Sequence, residues 1–420
     1  MNLQGLTVNG YREAPQALSD THPKFGLVRD AMRGSVDTYY EGQSSDLRGL
    51  SPKRHNQLRS SSCVAQSVVR AAEVKRIHKL FLTAQGRGLD IAAALAEAQA
   101  GHVALSRLAL YYLAREIMDP PETSLDEGTY VSMAAEALKS FGVCREEKSA
   151  TNPADRAFWP FDLGTVPASG RERIFESPTW AVMREAYLHK IHAWYRLETT
   201  GDDRVRDVIL ALAAGNPVVY GTQVDGQWQT YDGSVPLGTL KSRVLGGHAT
   251  VLEGWEPGKQ LFLGENSWGE DWGLTGPDGT GGFYEITPEK IASSESNDFV
   301  VIEGGWNRGG RRHEVSEKFF CRPVGRRRDL IRMWAEEAGR ARPDGHGGLP
   351  VGMQAPPRGG RLRTELRRGQ APPGRDHMRE VLCGHPELRT RSGSELRDEG
   401  HTVLGHGPRG RLLPEEVRRA

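Results

Sequence analysis

The chain has 420 residues, 37% of them hydrophobic and 26% charged, enough to bury a sizeable core in one or two domains. Its formal net charge of +1 gives no bulk field that would draw it to nucleic acid or to an anionic membrane. No apolar run approaches the ~18 residues that span a bilayer, and the opening residues lack a basic stretch followed by an apolar one. A soluble, cytoplasmic protein is the expectation.

Residues 1–44 read as a polar, extended lead-in. The first cysteine follows in "QLRSSSCVAQ" (57–66). After it, Val64, Ala65, Val68, Val69, Ala72, Ile77, Leu80 and Phe81 recur at helical spacing, with Arg70, Glu73, Lys75 and Lys79 between them. Ser60 to Ser62 are candidate N-caps, which puts Cys63 in the first turn of a long, mostly buried helix. The pattern predicts further helices over 103–117, 130–141, 178–195 and 203–214. It then changes, and strands are predicted over 216–224, 249–256, 260–268 and 281–287, with Gly and Pro punctuation between them. A helical first half and a strand-rich second half predict an α+β fold of two lobes with a cleft between them.

From residue 306 the composition shifts to Arg, Gly and Pro. No asparagine follows Asn307, no lysine follows Lys318 and no isoleucine follows Ile331. Low hydrophobicity predicts a disordered tail over 306–420. It reads either as a basic arm or as a stretch translated out of frame, since residues with AT-rich codons vanish together. Verified sequencing of one uninterrupted frame would remove the second reading.

Four cysteines, Cys63, Cys144, Cys321 and Cys383, form neither a disulfide framework nor a zinc-ligand spacing, so reduced thiols are expected. A free cysteine is usually a small buried hydrophobe, and Cys144 is read that way. Cys63 has more in its favour, because a helix N-terminus carries partial positive charge that favours a thiolate. A base must come from elsewhere in the chain. His248 follows two glycines in "GGHATVLEGW" and opens an alternating strand. Eighteen residues on, in "GENSWGEDWG", the Asn266 amide oxygen can accept from an imidazole N–H, with Trp268 and Trp272 able to shield the bond. Each piece alone fits a structural role; the order Cys, His, Asn is more specific.

Together these segments resemble the papain-like cysteine peptidases over roughly 45–305, and in style the minimal bacterial and phage members. Gln57 stands six residues before Cys63, as that family's oxyanion-hole glutamine does. "ENSWGEDWGLTGPDGTGGFYEI" is similar to its Asn-Ser-Trp-Gly motif, and "DEGTYVSMAAEALKSFGVC" to its cleft-lining segment. The resemblance implies a papain-like two-lobed fold, with a helical N-terminal lobe and an antiparallel β-rich C-terminal lobe. It implies peptide-bond hydrolysis through a thioester on Cys63, with Gln57 as oxyanion donor, His248 as acid and base, and Asn266 orienting the ring. Gly128, Gly247 and Trp268 would line the substrate site. Peptide or protein substrates are the implied partners, with no metal, organic cofactor, membrane or nucleic acid.

The chain also departs from the family pattern. Val64 replaces a tryptophan after the nucleophile, Ser60 stands where secreted members carry a disulfide cysteine, and "LR" replaces a glycine-bearing turn. His248 lies 185 residues after Cys63 (248 − 63), against the roughly 130–150 of the family motif. The excess is assigned to an insertion around 150–200. Two alternatives stay open: a scaffold that binds peptides or a partner without turnover, and a transferase or isopeptidase that ends the same chemistry on an amine or thiol.

Overall fold

The computed structural model describes residues 8–152, 154–164 and 172–304, all within one compact unit, Met1–Pro323. The tail, with Cys321 and Cys383, lies outside the described residues.

In chain order the helices begin with α1 (Gln16–Ser19) and α2 (Gly26–Arg33), followed by the short strand β1 (Ser45–Asp46). The helical part continues through α3 (Cys63–Gly86), α4 (Ile91–Ala100), α5 (Arg107–Glu116), α6 (Val131–Ser140) and α7 (Trp180–Ala186). Next come β2 (Ala193–Arg196), α8 (Gly201–Ala213), β3 (Val218–Val224) and α9 (Gly226–Gln229). The chain then runs through β4 (Gly246–Glu256), β5 (Leu261–Glu265), β6 (Phe283–Ile286), α10 (Pro288–Ala292) and β7 (Ser296–Glu303). The strands form one antiparallel sheet in the order β2-β7-β3-β4-β5-β6, with β1 added against β4. The fold is α+β, a helical N-terminal region followed by an antiparallel sheet.

Helix α3 is the axis of the molecule. Every residue from Cys63 to Val74 is buried, because the helix is covered by α5, α6 and the sheet rather than by water. A helix enclosed on all sides should be apolar all round. Besides the polar Gln66 and Ser67, Arg70 and Glu73 are the charged exceptions, and they are kept there by ion pairing: Arg70 Nε lies 2.7 Å from Glu265 Oε1, and Arg70 also pairs with Glu73. One core joins α3, α5 and α6 to Val219, Ala249 and Val251 of the sheet. A second joins α8 to the other face of the sheet and to Trp228, Trp268 and Trp272.

The helix expected over 178–195 stops at Ala186, and residues 193–196 are the edge strand β2. Pairing with β7 (Trp194 opposite Ile302) and a hydrogen bond from Trp194 Nε1 to Glu136 Oε2 at 2.9 Å override the local helical pattern. Strand β7 itself was not anticipated, since its polar lead "SESND" reads as a turn. The 8–44 segment packs into the fold: Val8, Phe25 and Met32 belong to the second core.

Candidate active site

Cys63 is the first residue of α3 and is fully buried. The N-cap is Ser62, but its side chain makes no bond to a helix N–H. Its hydroxyl instead accepts from Gln66 Nε2 at 3.0 Å and shares a proton with Ser60 Oγ at 2.7 Å. The serines therefore tie the approach loop to itself and leave the first helical amides free for other partners.

Gln57 is held at both ends of its amide. Its Nε2 donates to the Ser60 carbonyl at 3.1 Å, and its Oε1 accepts from Ser267 Oγ at 2.6 Å. The Gln57 backbone N–H donates to the Ser267 carbonyl at 2.8 Å, and Gly269 N–H donates to the His55 carbonyl at 2.9 Å. Segment 55–57 is thus stitched to segment 267–269, which fixes the cysteine loop relative to Asn266. Ser267 is a positioning residue that sequence reasoning missed; it was visible only as one letter of "NSW".

His248 sits in β4, paired with Thr222 of β3, so the strand begins two residues earlier than the histidine. Asn266 follows the last residue of β5. The pairing of Val251 with Glu265 brings them side by side. His248 Nε2 lies 2.7 Å from Asn266 Oδ1, which takes that nitrogen as a donor. His248 Nδ1 is buried with no hydrogen-bond partner among the described residues. The backbone amide of Ala249, the residue after His248, acts on the Cys63 sulfur in the direction that favours its thiolate. The Trp268 ring lies against the imidazole, with centroids 4.9 Å apart, and Trp228 meets the imidazole edge-on at 6.1 Å, itself against Trp268. Both tryptophans are almost fully buried and exclude water from the His–Asn bond. Trp228 had no sequence signal linking it to the site.

Burial dominates the electrostatics. It pushes the Cys63 thiol up to about 12, against the lowering effect of the Ala249, Val64 and Cys63 amides. It pushes the His248 imidazole down to about 4, against the Asn266 hydrogen bond. Both shifts favour a neutral thiol beside a neutral imidazole, so the charged pair expected from the helix N-terminus does not prevail in this state.

The source of that burial is the N-terminal segment, which crosses the thiol. A Cβ at Gly10 would lie 2.6 Å from Cys63 Sγ and 2.5 Å from the Ser61 carbonyl oxygen. Tyr11 N–H donates to the Gly247 carbonyl at 3.3 Å, and Arg12 N–H donates to the Thr129 carbonyl at 3.1 Å. Thr129 N–H in turn donates to the Gly10 carbonyl at 3.1 Å. Of the expected cleft residues, Gly247 contributes its carbonyl to this segment. Gly128 does not pair with it: its N–H donates to Tyr111 Oη at 2.9 Å, and Thr129 makes the backbone bridge. Gly128 still matters sterically, because with φ at +82° a Cβ there would strike the Gly10 carbonyl.

Two comparisons with known proteins bear on kinship. Residues 129–287 match the family described as "Papain family cysteine protease", a span that includes His248 and Asn266 and starts after Gln57 and Cys63. An uncharacterized peptidase C1-like protein, L477, of Acanthamoeba polyphaga mimivirus is 29% identical over 210 residues, 47% of this chain. The chain spans 58% of that relative's length. Among solved structures, xylellain, a cysteine protease from Xylella fastidiosa, is similar at 22% identity and a TM-score of 0.49, covering 70% of this chain and 96% of its own. The Carica candamarcensis cysteine protease CMS1MS2, solved in complex with E-64, is similar at 18% identity and a TM-score of 0.40, covering 62% and 98%. Over residues 129–287, the chain is similar to the papain family of cysteine proteases.

Proposed function

We propose that the protein is a peptidase that cleaves peptide bonds through an acyl-enzyme thioester on Cys63. The observation that carries the reading is the polarised histidine. His248 gives one nitrogen to Asn266 and keeps the other buried and without a hydrogen bond among the described residues, while the backbone of the next residue, Ala249, acts on the Cys63 sulfur. In the uncovered site the His248 imidazole takes the thiol proton, and the thiolate attacks the substrate carbonyl carbon. The C–S bond forms, and charge gathers on the carbonyl oxygen. The Cys63 N–H and the Gln57 amide supply donors for that oxygen, each worth about 3 kcal/mol in comparable sites. The C–N bond then breaks as His248 returns its proton to the leaving amine. Water, deprotonated by His248, hydrolyses the thioester to a carboxylic acid and restores the thiol. Asn266 keeps the ring in the required tautomer, and Trp268 and Trp228 protect that bond from water.

The test is a fluorogenic peptide library assayed with the wild-type chain and Cys63→Ala. Activity should fall to background in the variant while its circular dichroism and thermal midpoint stay those of the wild type. Turnover that survives the substitution would remove the nucleophile. Adding a competing amine separates hydrolysis from transfer, because an aminolysis product forms only if the thioester is captured.

A further inference from the structure

We propose that the cavity between α2, α3 and the end of β7 binds a free apolar α-amino acid, held as its zwitterion by Lys75 and Glu303. The cavity measures about 230 Å³. Sites for drug-sized ligands run to roughly 300–1,000 Å³, so this one suits a compound the size of a single amino acid. Val28, Ala31 and Met32 of α2 line it with aliphatic surface, Lys75 and Glu303 with opposite charges, and Asn216 with an amide. Lys75 stands twelve residues after Cys63 on the same helix (75 − 63), about 18 Å along its axis. The cavity is therefore separate from the peptide cleft.

The two charges are unspent. Lys75 Nζ donates to Asn216 Oδ1 and, at 3.4 Å, to the Gly215 carbonyl. Both acceptors are neutral, and an ammonium has three donors, so one N–H is left for a ligand. An ammonium withdrawn from water among neutral acceptors is costly until an anion joins it. Burial lowers the Lys75 pKa, and the charge of Glu303 raises it, yet no ion pair joins the two. The Tyr195 hydroxyl is the group that stands by the Glu303 carboxylate. A simple carboxylate in this cavity would satisfy Lys75 and be repelled by Glu303; a simple amine would meet the reverse. A zwitterion presents the right sign to both, which makes the pair selective for it. Its side chain is left to the aliphatic surface of α2, where the unbranched Met32 can adapt to its shape. Free amino acids are end products of peptide hydrolysis, but the site stands whether or not this chain hydrolyses peptides.

The experiment is calorimetry on the full chain with L-leucine, 4-methylpentanoate, 3-methylbutylamine and glycine. The last three lack, in turn, the ammonium, the carboxylate and the side chain of leucine. Leucine should bind at least about tenfold more tightly than each of them. Glu303→Gln should weaken leucine at least about tenfold and bring 4-methylpentanoate level with it, since the repelling charge is gone. Lys75→Met should weaken leucine by a similar factor. Ala31 is exposed, so Ala31→Phe should fill the cavity and remove binding while the ligand-free thermal midpoint stays that of the wild type. Leucine bound no more tightly than 4-methylpentanoate, or leucine binding unchanged in Glu303→Gln or in Ala31→Phe, overturns the proposal. So does the absence of both binding heat and a rise in thermal midpoint with leucine at millimolar concentration.

Discussion

At the scale of single residues, the loop before the nucleophile shows what a sequence hides. The replacement of a glycine-bearing turn by "LR" was legible, but not its consequence. Leu58 is left at φ +51°, in the left-handed region, half exposed, with its N–H donating to Asn56 Oδ1 at 2.9 Å. A non-glycine residue there costs roughly 1–2 kcal/mol, offset in part by the chain entropy a glycine would lose on folding, roughly 0.5–1 kcal/mol. Leu58→Gly should therefore raise the urea midpoint by an amount worth about 0.5–1 kcal/mol, with an unchanged slope. A lowered midpoint would mean that the Leu58 side chain stabilises more than its backbone costs. Gln57, Cys63, His248 and Asn266 were legible because each carries a distinctive chemical group in a recognisable local motif. Ser267, Thr129 and Trp228 were not, since a hydroxyl, a backbone bridge and a ring gain their meaning only from what folding sets beside them.

At the scale of elements, the joint between α3 and the sheet is made of buried charge. Arg70 on α3 meets Glu265 at the end of β5, Arg54 pairs with the same carboxylate, and the Ser51 hydroxyl bridges Glu253 and Glu265. The helical periodicity of 63–86 was readable, but the partner of Arg70 on the sheet was not, because Glu265 lies 195 residues away (265 − 70). Burial, and then the neighbouring Glu265 carboxylate, pushes Glu253 up to about 8, against the pull of Arg70 and Arg54. A folded-state pKa above the ordinary 4.5 means that the folded protein holds a proton the unfolded chain gives up. The contribution is complete below about pH 4.5 and is lost as pH rises through about 8. Glu253→Gln mimics the protonated side chain, so its stability should match the wild type near pH 5. It should exceed the wild type by several kcal/mol at pH 9, on the order of 4 for a shift of this size. Denaturant midpoints taken from pH 5 to pH 9 check this, and parallel curves for the two proteins would show that Glu253 does not titrate in that window.

At the scale of the whole molecule, the N-terminal segment and the site form one unit in which each explains the state of the other. The segment lies on Cys63 and bonds to Gly247, the residue before His248, and burial keeps both Cys63 and His248 neutral. Sequence alone gave the opposite expectation, a thiolate favoured by the helix N-terminus, because a contact between residue 10 and residue 63 leaves no local pattern. In the covered state Cys63 and Cys144 are both fully buried, with thiols pushed up to about 12, so both should alkylate slowly at neutral pH. Gly10→Val should break that equality. Its side chain has no room between the Ser61 carbonyl and Cys63 Sγ, so the segment must lift, and Cys63 should then react with iodoacetamide at least about tenfold faster while Cys144 does not change. Acid should act in the same direction. His248 is held near 4 when covered and returns toward its ordinary 6.5 when exposed, so the uncovered state binds more protons between those values. Lowering the pH from 6.5 toward 4 must therefore favour uncovering, and hydrogen exchange of residues 8–14 should lose protection across that range. Equal protection at both ends, together with unaltered Cys63 labelling in Gly10→Val, would show that the segment does not govern access to the thiol.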